Sequence, residues 1–127
     1  DDPSTWLAGI YGRVAGRGDF LSSDELAVFA GRLGASGLTG QLNLYRNIDR
    51  NLEDVAALVG RPITQPTLMV TADRDPVLPA SMADGMVPLV ADLERAHIDD
   101  CGHWTQQERP DQVNEVLLDW LGRRVPA

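Results

Sequence analysis

This sequence predicts an α/β fold, with parallel-sheet strands and flanking helices preceded by a helical segment. Three observations carry that expectation. Residues 1–60 show helical periodicity punctuated by glycine. Residues 61–127 run strand, helix, strand, helix, the order of βα units. The style changes at Pro62, where a continuous apolar run replaces amphipathic ones.

In the first half, "SSDELAVFAGRL" opens with a capping-box pattern, Ser22 as N-cap and Glu25 as its return partner. Leu26, Phe29, Ala30 and Leu33 follow at i, i+3, i+4 and i+7, the spacing of an amphipathic helix. Gly34 and Gly37 are expected to break it. In "GLTGQLNLYRNIDRN", Leu38, Leu42 and Tyr45 share one helical face, with Leu44 and Ile48 on an adjacent one. That pattern predicts burial on two sides.

In the second half, "PTLMVTA" is a short apolar run with β-branched members between a proline and "DRD". It reads as a strand buried on both faces. "SMADGMVPLV" can form a short helix, and "ADLERAHI" reads as a second strand. "PDQVNEVLLDWLGRR" is the clearest helix. Pro110 is tolerated in its first turn, and Val113, Val116, Leu117, Trp120 and Leu121 form one apolar stripe.

Two strands with one helix each lack the central strands of a parallel sheet covered on both faces. The chain opens on "DDPSTWLAG", without an initiator methionine or a signal-like leader. "LGRRVPA" reads as a natural finish, with two arginines suited to a helix C-terminus and then a breaking proline. Together these features lead us to expect a partner segment upstream.

Composition narrows the function classes. A 43% apolar content suits a packed core. The net charge of −8 disfavours nucleic acid or an anionic membrane as partner, since both need clustered Lys and Arg. No apolar run approaches membrane-spanning length. The single Cys101 cannot form an internal disulfide, which fits a reducing, cytoplasmic compartment.

Functional groups in an open parallel sheet gather at the carboxyl ends of strands. Here "DRDPVL", with Asp73 and Asp75, follows the first strand, and "DDCGHW", with His103, follows the second. An acid followed by a histidine at neighbouring strand ends is the order of the last two members of an α/β-hydrolase triad. The acid would orient the imidazole, which would then activate a nucleophile or water. The plainer alternatives are that Asp73 and Asp75 are turn residues before Pro76, and that His103 is an ordinary loop histidine. Cys101 is expected to be a small buried residue, Trp104 core or pocket lining, and His97 structural. His97, Asp99, Asp100, Cys101 and His103 are crowded together, but not at metal-ligand spacing, so no metal site is expected.

The runs "PTLMVTADRDPVL" and "HIDDCGHWTQQERPDQVNEVLLDWL" closely resemble the C-terminal end of soluble epoxide hydrolases of the α/β-hydrolase superfamily. "GLTGQLNLYRNIDRN" resembles the second part of their cap, so the likeness extends from about residue 20 to 121. It implies a helical cap segment at 1–60 and the last βα units of the core at 61–127. Asp75 falls where the family keeps its charge-relay acid and His103 where it keeps the water-activating base. Tyr45 falls where it keeps one of two cap tyrosines that bind the epoxide oxygen. Trp104 is then expected to contact substrate, and no cofactor is needed.

The family's nucleophilic aspartate and oxyanion hole have no counterpart in these residues, nor has the second cap tyrosine; Tyr11 is a candidate for it without support from any motif. The partners implied are a small apolar epoxide and an N-terminal portion bearing the nucleophile, with a homodimer left open. A haloalkane dehalogenase or a serine esterase would share the acid–histidine pair, but neither has use for a tyrosine donor at "LYRN". A non-catalytic, truncated binding module is the alternative from another class.

Overall fold

The structure, a computed structural model, describes residues 3–16 and 20–125. The opening Asp1 and Asp2 and the breaking Pro126 lie outside the described residues. The helical half contains α1 (Pro3–Val14), α2 (Ser23–Ser36), α3 (Thr39–Arg46) and α4 (Ile48–Val55). The second half contains β1 (Thr67–Ala72), a 3-10 turn (Ala80–Met86), β2 (Leu93–Ile98), α5 (Thr105–Glu108) and α6 (Pro110–Arg124).

The capping box is formed as the sequence predicts. The Ser22 hydroxyl accepts the Glu25 N–H at 3.3 Å, and the Glu25 carboxylate accepts the Ser22 N–H at 2.8 Å. Two donors that the first helical turn leaves open are thereby satisfied. Gly34 does not break α2, which runs through it to Ser36. One interior glycine costs only about 1 kcal/mol, too little to end a capped helix. The stop comes at Gly37, whose φ of +68° is open to glycine but costly for other residues.

"TGQLNLYRNIDRN" forms two short helices rather than one. They meet at Asn47, with φ −89° and ψ 0°, and its N–H turns back to the carbonyls of Asn43 and Tyr45. The expected two-sided burial is also absent: α3 and α4 contain no buried residue, and Leu44 is 73% exposed. Leu38, Leu42 and Tyr45 face a cavity instead of a packed core, so periodicity alone does not bury them.

β1 and β2 pair in parallel, with Thr67 opposite Leu93 and Ala72 opposite Ile98. An isolated parallel bridge between Ile63 and Val90 precedes the ladder, one residue out of its register. Contrary to the expectation of burial on both faces, Thr67 to Thr71 are only half-buried and Ala72 alone is buried. The core is small: Ala72, Ile98, Cys101 and Val113, with Val70 and Val116 packed against it. On α6 the predicted stripe is split. Val113 is buried and Val116 and Trp120 are half-buried, whereas Leu117 and Leu121 are exposed. Arg123 and Arg124, at the C-terminal end of α6, pair with Glu94, and Arg124 also with Asp92, which pins the helix to β2.

Candidate active site

The parallel register places the carboxyl ends of β1 and β2 side by side, so their two following loops leave from the same edge. Those loops are stitched together. The Asp73 N–H donates to the Ile98 carbonyl at 3.3 Å and the Arg74 N–H to the Cys101 carbonyl at 2.9 Å. The Cys101 N–H donates to the Asp73 carboxylate at 2.9 Å. Asp100 turns the second loop with a φ of 54°, a conformation that aspartate tolerates better than most residues. Its carboxylate pairs with both Arg74 and Arg109.

This stitching brings Asp75 and His103 together. His103 Nδ1 lies 3.0 Å from Asp75 Oδ2 and 3.1 Å from Oδ1. Asp75 Oδ1 also accepts the N–H groups of Val77, at 2.8 Å, and Leu78, at 2.9 Å, so the loop fixes the carboxylate before the imidazole meets it. The Asp75 side chain is 9% exposed and that of His103 26%. Desolvation pushes the Asp75 carboxyl up. The Leu78 N–H, the His103 ring and the Val77 N–H outweigh it and hold the group below the usual carboxylate range. An ionised acid at Nδ1 favours the tautomer with the proton there, leaving Nε2 with a free lone pair. Asp73 has a different task. The Cys101 N–H is the main reason its carboxyl is held low, against desolvation, and it braces the second loop rather than the imidazole.

Glu108 was not singled out by its sequence context. It is 5% exposed, and its carboxylate accepts the N–H groups of Gly102 at 2.9 Å, Trp104 at 3.1 Å and Gly16 at 2.8 Å. No motif marks such a residue, because these three partners are backbone donors and one of them lies 92 residues away.

A cavity of about 450 Å³ opens beside the loop, lined by α1, α2 and α3 and by Trp104. Tyr45 and Trp104 both line it, and so does Tyr11. The Tyr11 ring sits 4.5 Å from that of Trp104 and 5.6 Å from that of Phe29, between centroids. Trp104 in turn meets the His103 ring edge-on at 5.2 Å. The wall is otherwise mostly apolar, with Leu7, Ile10, Leu33 and Leu42, while Arg32 and Gln41 are polar. Tyr45 is 73% exposed, and no hydrogen bond joins it to Asp75 or His103 among the described residues. The structure therefore brings Asp75, His103 and Trp104 into one contact group, with Tyr45 on the wall of the cavity that Trp104 also lines.

Of the crowded acids and histidines, His97 and Asp99 lie 3.8 Å apart and the others face different partners. His97 is exposed and lies 2.9 Å from the Thr71 hydroxyl, Asp100 faces two arginines, and Cys101 is fully buried. Burial pushes the Cys101 thiol up, reinforced by the negative charge of Glu108. Among the described residues no group of three His, Cys, Asp or Glu side chains could hold a metal ion. Among them, too, no helix is long and apolar enough to cross a membrane.

No family model matches the chain. It is 43% identical over 100 residues to bifunctional epoxide hydrolase 2 of Rattus norvegicus, covering 79% of this chain and 18% of that protein. It is 41% identical over 108 residues to epoxide hydrolase A of Mycobacterium tuberculosis, covering 84% of this chain and 34% of that protein. Among solved structures, epoxide hydrolase A from Mycobacterium thermoresistibile superposes with a TM-score of 0.70 at 39% identity, over 82% of this chain and 33% of the other. Potato epoxide hydrolase I superposes with a TM-score of 0.74 at 27% identity, over 83% and 35%. The chain thus spans between about a fifth and about a third of the length of these relatives and about a third of these solved chains.

Proposed function

We propose, for a chain homologous to epoxide hydrolases of the α/β-hydrolase fold, that residues 1–127 supply the water-activating half of an epoxide-opening site. The observation that carries this reading is the Asp75–His103 pair at the carboxyl edge of a parallel sheet. In this reading residues 1–60 are cap and residues 61–127 are the end of the catalytic core. An aspartate supplied by chain outside these residues attacks an epoxide carbon. The C–O bond of the ring breaks, and a hydroxyalkyl ester forms on the enzyme. Tyr45 donates a hydrogen bond to the oxygen as it takes up negative charge, and a proton from solvent completes the hydroxyl.

His103 acts in the second step. Its Nε2 takes a proton from water as the water attacks the ester carbonyl, and Asp75 stabilises the imidazolium. The acyl C–O bond then breaks, the imidazolium returns its proton to the departing alkoxide, and the acid loses its remaining proton to solvent, which leaves the diol and the regenerated carboxylate. No step requires a metal or an organic cofactor. The cavity beside Trp104, with its mostly apolar wall, favours a small apolar epoxide as substrate. The exposed apolar faces of α3 and α4, Leu44 and Ile48 among them, support a further stretch of chain as their cover.

The two steps can be separated. The attacking carboxylate is already ionised at neutral pH, so ring opening needs no base. Neutral water is a poor nucleophile, so ester hydrolysis does. In the full-length polypeptide carrying these residues, His103→Gln is expected to trap an adduct with the mass of enzyme plus epoxide, read by intact-mass spectrometry. Normal turnover of His103→Gln would refute the assignment, and absence of any epoxide chemistry in the unsubstituted polypeptide would favour a binding module.

A further inference from the structure

Glu108 has no part in the chemistry proposed above, yet it is buried at 5% exposure beside the proposed base. A buried carboxylate is costly unless donors surround it. Among the described residues three backbone N–H groups do so, and hydrogen bonds to a charged acceptor are roughly twice as strong as neutral ones. Two of those donors, Gly102 and Trp104, are the residues on either side of His103. Asp75 fixes the imidazole from its Nδ1 side, and Glu108 fixes the backbone that carries it.

The third donor extends the connection. Gly16 follows α1, the helix that brings Tyr11 to the cavity wall, and its N–H donates to Glu108 Oε2 at 2.8 Å. A Cβ on Gly16 would lie 2.5 Å from the Gly102 nitrogen and 2.6 Å from the Cys101 carbonyl carbon. Both are backbone atoms of the histidine loop, so only glycine permits this approach. One carboxylate thus binds the loop of the base and the end of a cavity-wall helix.

We propose that Glu108 is a positioning residue that aims the Nε2 of His103 at the attacking water and ties the histidine loop to the α1 wall of the cavity. The proposal rests on the reading of His103 as the base of the second step. Glu108→Gln replaces one carboxylate oxygen with an NH2 group, which cannot accept a hydrogen bond. At least one N–H of the loop then loses its acceptor. Because only ester hydrolysis uses His103, misplacing it should lower kcat and leave kcat/KM for ring opening unchanged.

The experiment compares Glu108→Gln, Glu108→Asp and His103→Gln in the full-length polypeptide, with an epoxide that gives a chromogenic diol. For Glu108→Gln, kcat is expected to fall roughly ten- to a hundredfold. Its kcat/KM should hold, adduct should accumulate in the burst phase, and the pH limb of kcat should be displaced. Glu108→Asp keeps the charge and should recover part of the rate. If Glu108→Gln does not melt cooperatively, Glu108→Asp is read for the same signature. An equal fall in kcat and kcat/KM without adduct, or no change while His103→Gln accumulates adduct, would overturn the role of Glu108 and leave that of His103 standing. Normal turnover of His103→Gln would overturn both.

Discussion

Asp75 and His103, 28 residues apart in the chain, meet with Nδ1 at 3.0 Å from a carboxylate that two backbone N–H groups already hold. The carboxylate is preorganised by its own loop, so the imidazole receives orientation as well as charge. In Asp75→Asn the amide can present its NH2 to Nδ1 and favour the other tautomer, with the proton on Nε2. Turnover in the full-length polypeptide is then expected to fall on the order of a thousandfold or more. Adduct should accumulate as it does with His103→Gln, and intact-mass spectrometry after brief exposure to epoxide checks this.

Tyr45→Phe is expected to behave differently. Removing one donor aimed at a developing oxyanion typically costs about 3 kcal/mol, or roughly a hundredfold in rate. The slowed step is ring opening, so kcat/KM should fall and no adduct should build up. Adduct in Tyr45→Phe but not in His103→Gln would reverse the division of roles.

Asp73 should contribute to stability in a pH-dependent way. Its carboxyl is held below the usual range, chiefly by the Cys101 N–H against desolvation. A group whose pKa is lower when folded stabilises fully above its unfolded value, about 3.9, and loses that contribution as the pH falls through the folded value. The stability gap between the unsubstituted protein and Asp73→Asn is therefore expected to be constant at neutral pH and to close below about pH 4. Urea melts over a pH series measure it.

Cys101 is fully buried, and its thiol is pushed up by burial and then by the charge of Glu108. Only the thiolate alkylates rapidly. Iodoacetamide at neutral pH is expected to leave Cys101 unmodified in the folded protein and to label it once denaturant is added. Peptide mass mapping distinguishes the two.

Much of the local structure was legible because its causes are local. Ser22 and Glu25 lie within one helical turn, so their reciprocal caps could be read from spacing. "PTLMVTA" and "ADLERAHI" are bounded by turn residues and became β1 and β2. Asp75 and His103 were legible because parallel strands in register deliver their following loops to one edge, whatever the rest of the sheet does. The split of the "LYRN" helix at Asn47 and the exposure of Leu44 were not legible, since periodicity names a face without naming what covers it.

The sequence by itself determined the α/β order, the caps, the two strands and the acid–histidine pair, because each depends on short-range geometry or on strand direction. The family resemblance pointed to Asp75 for the imidazole, but only the tertiary structure showed that Asp73 braces the loop. Asp73 and Asp75 are both acids of one turn, and the paths of two loops set their partners. Only the tertiary structure could show Glu108 and Gly16 at the base of His103. Their bonds join backbone N–H groups, which every residue but proline possesses, to a carboxylate brought there by folding.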